Sequence, residues 1–329
     1  MFSDRLRIAL ETGLLDLPED GPIAVVGPSI GDDLGLLPSS RVVVVQRRYP
    51  AYLHFERLGY QVIPSLAGEF AMSFVCVPRA RAEAELVLAH VSEATDGPVV
   101  IDGQKTDGIG SYLKLARQHG DMKDVVSKSH GKLAIFENLS IPAANTEFTI
   151  IEGKFQTGPG VFSADGIDPA SRLLADALPD GMKGSIADFG AGWGYLSSEI
   201  LERPDVTSLD VVEADFVALS LAKTNVTDAR ARFHWADVMS FEPDEPFDHV
   251  VMNPPFHTGR AAEVTLGQDF IRAAARTLKP RGELWLVANR HLPYEKTLED
   301  VFHSVKSLGD SPSFKIFHAS SPKQRRKGM

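Results

Sequence analysis

The chain has 329 residues, room for two domains that each bury a core, and its 43% hydrophobic and 24% charged content excludes a disordered or low-complexity protein. With 34 Lys and Arg against 44 Asp and Glu, the formal net charge of -10 excludes indiscriminate attraction to phosphate backbones, so an RNA partner has to be held by a local basic surface. The single cysteine, Cys76, excludes intramolecular disulfides and a cysteine-rich zinc site, and it fits a reducing cytoplasm.

From Met1 to Leu17, Arg5, Arg7, Glu11 and Asp16 alternate with apolar residues at helical spacing, which is unlike a signal peptide. No apolar stretch reaches the length of a membrane span. Short runs rich in β-branched residues at 23–26, 42–45, 74–77 and 99–101 read as strands, with helices over 51–58 and 81–91 between them, the alternation of a parallel sheet. Basic clusters at Arg41, Arg47 and Arg48, at Arg79 and Arg81, and in the tail at Lys323, Arg325, Arg326 and Lys327 are candidate RNA contacts or plain solvated charge. Pro142, Asn145, Gly153, Gly158 and Pro159 mark a connection or short hairpin, which places the domain boundary near Asn145 and gives domains 1–145 and 146–329.

The alternation then repeats, with strands at 185–189, 208–213, 249–252 and 283–288 and helices at 196–203, 217–224 and 269–278. The fold class is α/β, two Rossmann-like domains. The first strand of the second half ends in Asp188-Phe189-Gly190-Ala191-Gly192-Trp193-Gly194, a glycine turn that admits close approach of a ligand to the backbone. A dinucleotide fingerprint wants its third glycine one place later, where Tyr195 stands, and Asp188 would repel a pyrophosphate but attract the ammonium of a methionine moiety. The next strand ends in Glu213, able to accept from two ribose hydroxyls, and the third in Asp237, able to accept from an adenine amino group. A helix cap at Asp188 and solvated carboxylates at Glu213 and Asp237 are the bland alternatives.

The run from Asp248 to Met252 leads into Asn253-Pro254-Pro255-Phe256-His257. A planar amino nitrogen is a poor nucleophile because its lone pair is delocalised. The Asn253 side-chain oxygen and the Pro254 carbonyl can grip its two N–H bonds, while Phe256 stacks on the base. The alternative is a rigid turn with a buried aromatic.

These residues resemble the class I S-adenosylmethionine-dependent methyltransferases of the "methyltransferase small" type, and more narrowly the bacterial ribosomal RNA guanine-N2 methyltransferases of the small-subunit kind. The resemblance covers about 155–319 and rests on Gly160-Val161-Phe162-Ser163-Ala164-Asp165-Gly166-Ile167-Asp168, the Asp188 loop, Asn253 to His257, and Gly282 to Tyr294. It implies a bound S-adenosylmethionine contacted by Phe162, with Asp165 a neighbour, beside Asp188, Gly190, Gly192, Gly194, Glu213, Asp237 and Asn253. It further implies a duplication whose first domain has lost its cofactor site. Gly27-Pro28-Ser29-Ile30-Gly31 and Pro78-Arg79 replace the two motifs there, and Gly103 to Ser111 resembles that domain's own signature. The expected partner is ribosomal RNA within a ribosomal subunit, bound by a monomer that uses no metal and no membrane. Competing readings are a large-subunit rRNA enzyme, an adenine-N6 or glutamine-amide methyltransferase, and a non-catalytic RNA-binding assembly factor.

Overall fold

Val-rich runs with no polar face can only sit in the middle of a sheet, and both such runs in the first half do so, buried on every residue. The computed structural model describes residues 2–142, 148–255, 260–309 and 311–323. It divides into two compact units, Met1–Phe148 with Gly158–Gly160, and Thr149–Thr157 with Val161–Met329. Asn145, the expected boundary, lies outside the described residues.

The first unit contains α1 (Phe2–Glu11), β1 (Ile23–Val26), β2 (Val42–Val45), α2 (Tyr49–Arg57), β3 (Gln61–Ile63), β4 (Met72–Cys76), α3 (Arg81–Glu93), β5 (Val99–Gln104), α4 (Ile109–Ala116), β6 (Asp121–Lys128) and β7 (Gly131–Glu137). Its sheet runs β3-β2-β1-β4-β5-β7-β6, parallel through β5 and antiparallel in the final hairpin. The sequence reading lacks that hairpin. Its two-residue turn is Ser129-His130, at φ 52° and 58°, left-handed geometry that Asn-Gly would have advertised and these residues do not.

In the second unit a small hairpin, β8 (Thr149–Ile151) and β9 (Phe155–Thr157), precedes α5 (Pro169–Ala177). Then come β10 (Gly184–Phe189), α6 (Tyr195–Leu201), β11 (Val206–Glu213), α7 (Phe216–Asn225), β12 (Ala231–Trp235), β13 (Phe247–Met252), α8 (Arg260–Thr277), β14 (Leu278–Asn289), α9 (Glu295–Val301), β15 (Phe302–Leu308) and β16 (Phe314–Pro322). The sheet order is β12-β11-β10-β13-β14-β16-β15, the same permutation as in the first unit. Several expected helix ends shift, and α8, expected from 269, begins nine residues earlier at Arg260. The helix over 196–203 stops at Leu201, where the Arg203 guanidinium turns back to bond the carbonyls of Leu178, Pro179 and Glu199, and Leu278 opens β14 instead of closing α8.

Side-chain alternation along the central strands decides what each face carries. Ile186, Val211 and Val251 pack with α5, α6 and α7, while Ala187, Val212, Val250 and Met252 pack with α8 and α9. By the same period Asp188, Glu213 and Asn253 belong to the face of α5 to α7. In the parallel register Asp188 is opposite Val211 and Val251, so Glu213 and Asn253 lie two residues further along the strands on either side. The sequence direction of the sheet reverses between β10 and β13, which opens a crevice at their carboxyl ends.

Candidate active site

A pocket opens at that switch point, lined by Gly190, Ala191, Gly192 and Trp193 of the turn, Tyr195 and Leu196 of α6, Phe162 and Ser163, Asp168 and Ser171 of α5's first turn, and Asn253. The turn is a run of left-handed glycines, with φ 75° at Gly190, 58° at Gly192 and 94° at Gly194. They do different jobs. A Cβ on Gly194 would come within 3.0 Å of Val226 and 3.3 Å of the Ala222 backbone, so this glycine lets α6 pack on α7; a Cβ on Gly192 would meet nothing within 4 Å, which is the open side that a ligand can approach.

Glu213 braces the turn: its Oε2 accepts from the Gly192 N–H at 2.8 Å and its Oε1 from the Asp215 N–H at 2.8 Å. Asp188 is placed differently from the sequence expectation. It is fully buried behind the turn, outside the pocket lining, and its Oδ2 accepts from the Ser197 hydroxyl of α6 at 2.6 Å, while its Oδ1 has no partner. Its parity on β10 turns it towards α6, and it is not a helix cap, a position held by Gly194 for α6. Burial pushes its carboxyl up to about 7, reinforced by the charge of Glu213 and opposed by the Ser197 bond.

Asp165 is a second correction. Ser163 at φ 54° and the bond from its hydroxyl to the Gly166 carbonyl close a tight turn that leaves Asp165 exposed and off the pocket wall. The acidic residue that the segment delivers to the site is Asp168. It caps α5 by accepting from the Ser171 N–H at 2.7 Å, with Pro169 following in the first turn. Phe162 lines the pocket, 42% exposed, and the Trp193 indole N–H donates to its carbonyl at 3.0 Å, tying this segment to the glycine turn. Asp237 accepts from the Met239 N–H at 3.0 Å at the end of β12 and is not part of the pocket wall.

Asn253 is held by its nitrogen. Nδ2 donates to Asp168 Oδ2 at 2.9 Å and to Ser171 Oγ at 2.8 Å, and the buried Oδ1 has no donor. Pro254 is buried, and Phe256 and His257 lie outside the described residues. Sequence reasoning missed Asp168 and Ser171 as site residues, although Asp-Pro ahead of an apolar-periodic stretch is a helix-start signal.

Four of the residues in the basic clusters have partners within the chain. Arg41 donates to the Pro18 carbonyl, Arg47 pairs with Glu83, Arg81 with Glu85, and Lys323 donates to the Glu299 carbonyl. Arg325, Arg326 and Lys327 lie outside the described residues. No metal-binding group of His, Cys, Asp and Glu occurs among the described residues, and no helix there is long and apolar enough to cross a membrane.

The pocket fits S-adenosylmethionine better than a dinucleotide. The open Gly192 admits a ligand, Glu213 bonds to its N–H from outside the pocket lining, and the place of a third fingerprint glycine is taken by Tyr195, buried against Phe155 at 5.9 Å between ring centroids. Fold and site together define a class I S-adenosylmethionine-dependent methyltransferase.

Comparison with known proteins agrees. The model of the methyltransferase small domain matches residues 152–318, and the chain belongs to that family. It is 30% identical over 261 residues to the ribosomal RNA small subunit methyltransferase C of Salmonella heidelberg, an alignment covering 76% of this chain and 75% of that one. The Salmonella choleraesuis protein of the same name is 29% identical over 259 residues, with the same coverage of 76% and 75%. Among solved structures, the T. thermophilus 16S rRNA N2 G1207 methyltransferase in complex with AdoMet and guanosine superposes with a TM-score of 0.80 at 27% identity, over 93% of this chain and 90% of that one.

Proposed function

We propose that this chain transfers a methyl group from S-adenosylmethionine to the exocyclic N2 amino group of a guanine in 16S ribosomal RNA. The observation that carries the reading is Asn253, a residue of the pocket wall whose amide nitrogen is occupied and whose buried oxygen has no donor. The names of the Salmonella and T. thermophilus relatives support the substrate.

S-adenosylmethionine, when bound, supplies an electrophilic methyl group. Glu213 accepts from the ribose hydroxyls while holding Gly192, and Phe162 packs over the cofactor. Asn253 Oδ1 and the Pro254 carbonyl accept from the two N–H bonds of the guanine amine, which draws its lone pair out of conjugation and aims it in line. Phe256 stacks on the base, which leaves its own stack to reach Asn253. No strong base is needed before attack, because the nitrogen becomes acidic only as the N–CH3 bond forms and the S–CH3 bond breaks, after which its proton passes to water and the demethylated cofactor leaves. The protein acts as a monomer without a metal, on rRNA assembled in a particle, where shape and protein contacts make up for a net charge of -10. Residues 1–145 bind or orient substrate, and residues 146–329 carry the chemistry.

The test is mass spectrometry of small-subunit particles and stripped rRNA after incubation with the purified protein and labelled cofactor. N2-methylguanine in 16S rRNA is expected, with particles the better substrate. Label on adenine N6, on large-subunit rRNA only, or on no nucleotide would overturn the assignment.

A further inference from the structure

The amide of Asn253 has two nearly isosteric orientations with opposite consequences. With Oδ1 towards the crevice it can accept from an incoming amine; turned by half a rotation it would present N–H bonds to another donor. The structure fixes the amide nitrogen by two contacts from one helix and leaves the buried oxygen without a donor. Asp168 Oδ2 and Ser171 Oγ both take the Asn253 nitrogen, at 2.9 and 2.8 Å. An ionised carboxylate can only accept, so the flipped amide would set oxygen against oxygen at Asp168 and leave its nitrogen without these partners.

Asp168 is itself immobilised. The same Oδ2 accepts from the Ser171 N–H at 2.7 Å as the cap of α5, and Pro169 fixes the backbone that follows. The position and polarity of Asn253 are therefore set by the first turn of a helix whose apolar face, Ala170, Leu174 and Ala175, is packed into the core.

We propose that Asp168 and Ser171 are the positioning residues of methyl transfer: they lock the Asn253 amide with its oxygen facing the acceptor amine, and they act on the rate through Asn253. This rests on the reading of Asn253 as the amine's acceptor. It predicts a dependence that a merely structural role would lack, because removing the lock should matter only while Asn253 is there to be locked.

The experiment is single-turnover methyl transfer to small-subunit particles, with S-adenosylmethionine affinity measured in parallel by calorimetry. The Asp168→Ser variant keeps a capping residue but is too short to reach Asn253, and Ser171→Ala leaves the Asp168 cap in place. Their combination should slow transfer on the order of thirtyfold, as expected for a misaimed reacting group, while cofactor affinity stays within about threefold. In an Asn253→Ala background the Asp168→Ser and Ser171→Ala changes should cause no further loss.

A wild-type rate in the combined variant, additive losses in the Asn253→Ala background, or cofactor affinity falling in step with the rate would each overturn the proposal. If Asp168→Ser fails to fold, Ser171→Ala alone decides by the same comparison of backgrounds. Asn253→Ala at the wild-type rate would instead sink the underlying reading of Asn253, which keeps the two failures distinct.

Discussion

The two sheets of this chain share one permutation and one register, so their crevices can be compared residue by residue. Gly27 N–H donates to the Val45 carbonyl at 2.9 Å, and Gly190 N–H donates to the Val212 carbonyl at the same distance. With Val26 set against Phe189 in the strand pairings, Val25 corresponds to Asp188, Gln46 to Glu213, and Cys76 to Asn253. Gln46 even copies half of its counterpart's bonding. Its Oε1 accepts from the N–H two residues on, at Arg48, as Glu213 Oε1 does from Asp215. The other half is inverted, because Gln46 Nε2 donates to the Pro28 carbonyl where Glu213 Oε2 accepts from Gly192. The helix preceding the first strand differs as well: α5 offers Ser171 to Asn253, whereas α1 sends in Arg5, buried and paired through two bonds of 2.6 and 2.7 Å with Asp102 on β5. One architecture thus carries different side chains at the same strand ends of its two units.

The comparison can be broken by giving the second unit the residues of the first. The largest effect on function is expected from Asn253→Cys, which supplies no comparable acceptor and drops both contacts to α5. A missing transition-state acceptor is worth roughly 2 to 4 kcal/mol, so transfer should fall on the order of a hundredfold or more while S-adenosylmethionine still binds. Single-turnover rates and calorimetry on the same preparation check both halves, and a rate near wild type would mean that Asn253 is not the acceptor.

Next comes Glu213→Gln. The amide can satisfy Gly192 or Asp215 with its oxygen but must turn an N–H toward the other donor, and it loses a charged acceptor for the ribose. Losing a hydrogen bond to a charged group costs about 1.5 to 3 kcal/mol, a weakening of roughly ten- to a hundredfold in cofactor affinity. Calorimetric affinity within a factor of about two of wild type would remove Glu213 from the cofactor site.

The parts of the site legible in sequence are those that sit at strand ends. Glu213 and Asn253 each end an apolar β-run, and periodicity alone puts them on one face at one edge, while Asp188 shares that face but is buried behind the turn. What alternation cannot show is the partner across the face. Asn253 is 85 positions from Asp168, and no local pattern announces a hydrogen bond over that separation. The resemblance nominates Asp165 and not Asp168, although both lie in the same motif; a positive φ at Ser163 leaves the first exposed, and a helix cap holds the second in the pocket wall. In the fold, the central parallel strands were legible because they are buried on both sides, whereas β3 and β6 at the two sheet edges mix exposed and half-buried residues and give no comparable signal.

A smaller functional effect, but a clear thermodynamic one, is expected where Asp188 replaces what is Val25 in the first unit. The folded-state value of about 7 lies above the ordinary 3.8, so the folded chain holds this proton more tightly than the unfolded chain does. The associated stability is whole below 3.8 and is lost as pH rises through about 7. Asp188→Asn keeps an acceptor for Ser197 and removes the titration. It should flatten that window and raise stability at pH 9 by an amount on the order of a few kcal/mol. Urea midpoints of both proteins at pH 5 and pH 9 are the measurement, and equal pH dependence would show that Asp188 ionises as an ordinary surface carboxylate does.

The smallest functional effect is expected from the reverse exchange, Gln46→Glu in the first unit. If a single carboxylate made the difference between the crevices, this change would create a second cofactor site. The surroundings argue otherwise. Gln46 is 5% exposed, and its nitrogen is matched to the Pro28 carbonyl, so a glutamate there would set oxygen against oxygen where the second unit has the Gly192 N–H. The turn after β1 has a proline at position 28, which has no N–H to offer, and Cys76 stands in place of the acceptor amide. Gln46→Glu should therefore cost stability, about 1 to 3 kcal/mol for an unsatisfied buried group, and leave binding at one S-adenosylmethionine per chain with an unchanged transfer rate. Calorimetric stoichiometry decides it: two cofactors per chain in the Gln46→Glu protein would mean that the first crevice is closed by one side chain, whereas one per chain means that turn, strand end and preceding helix close it together.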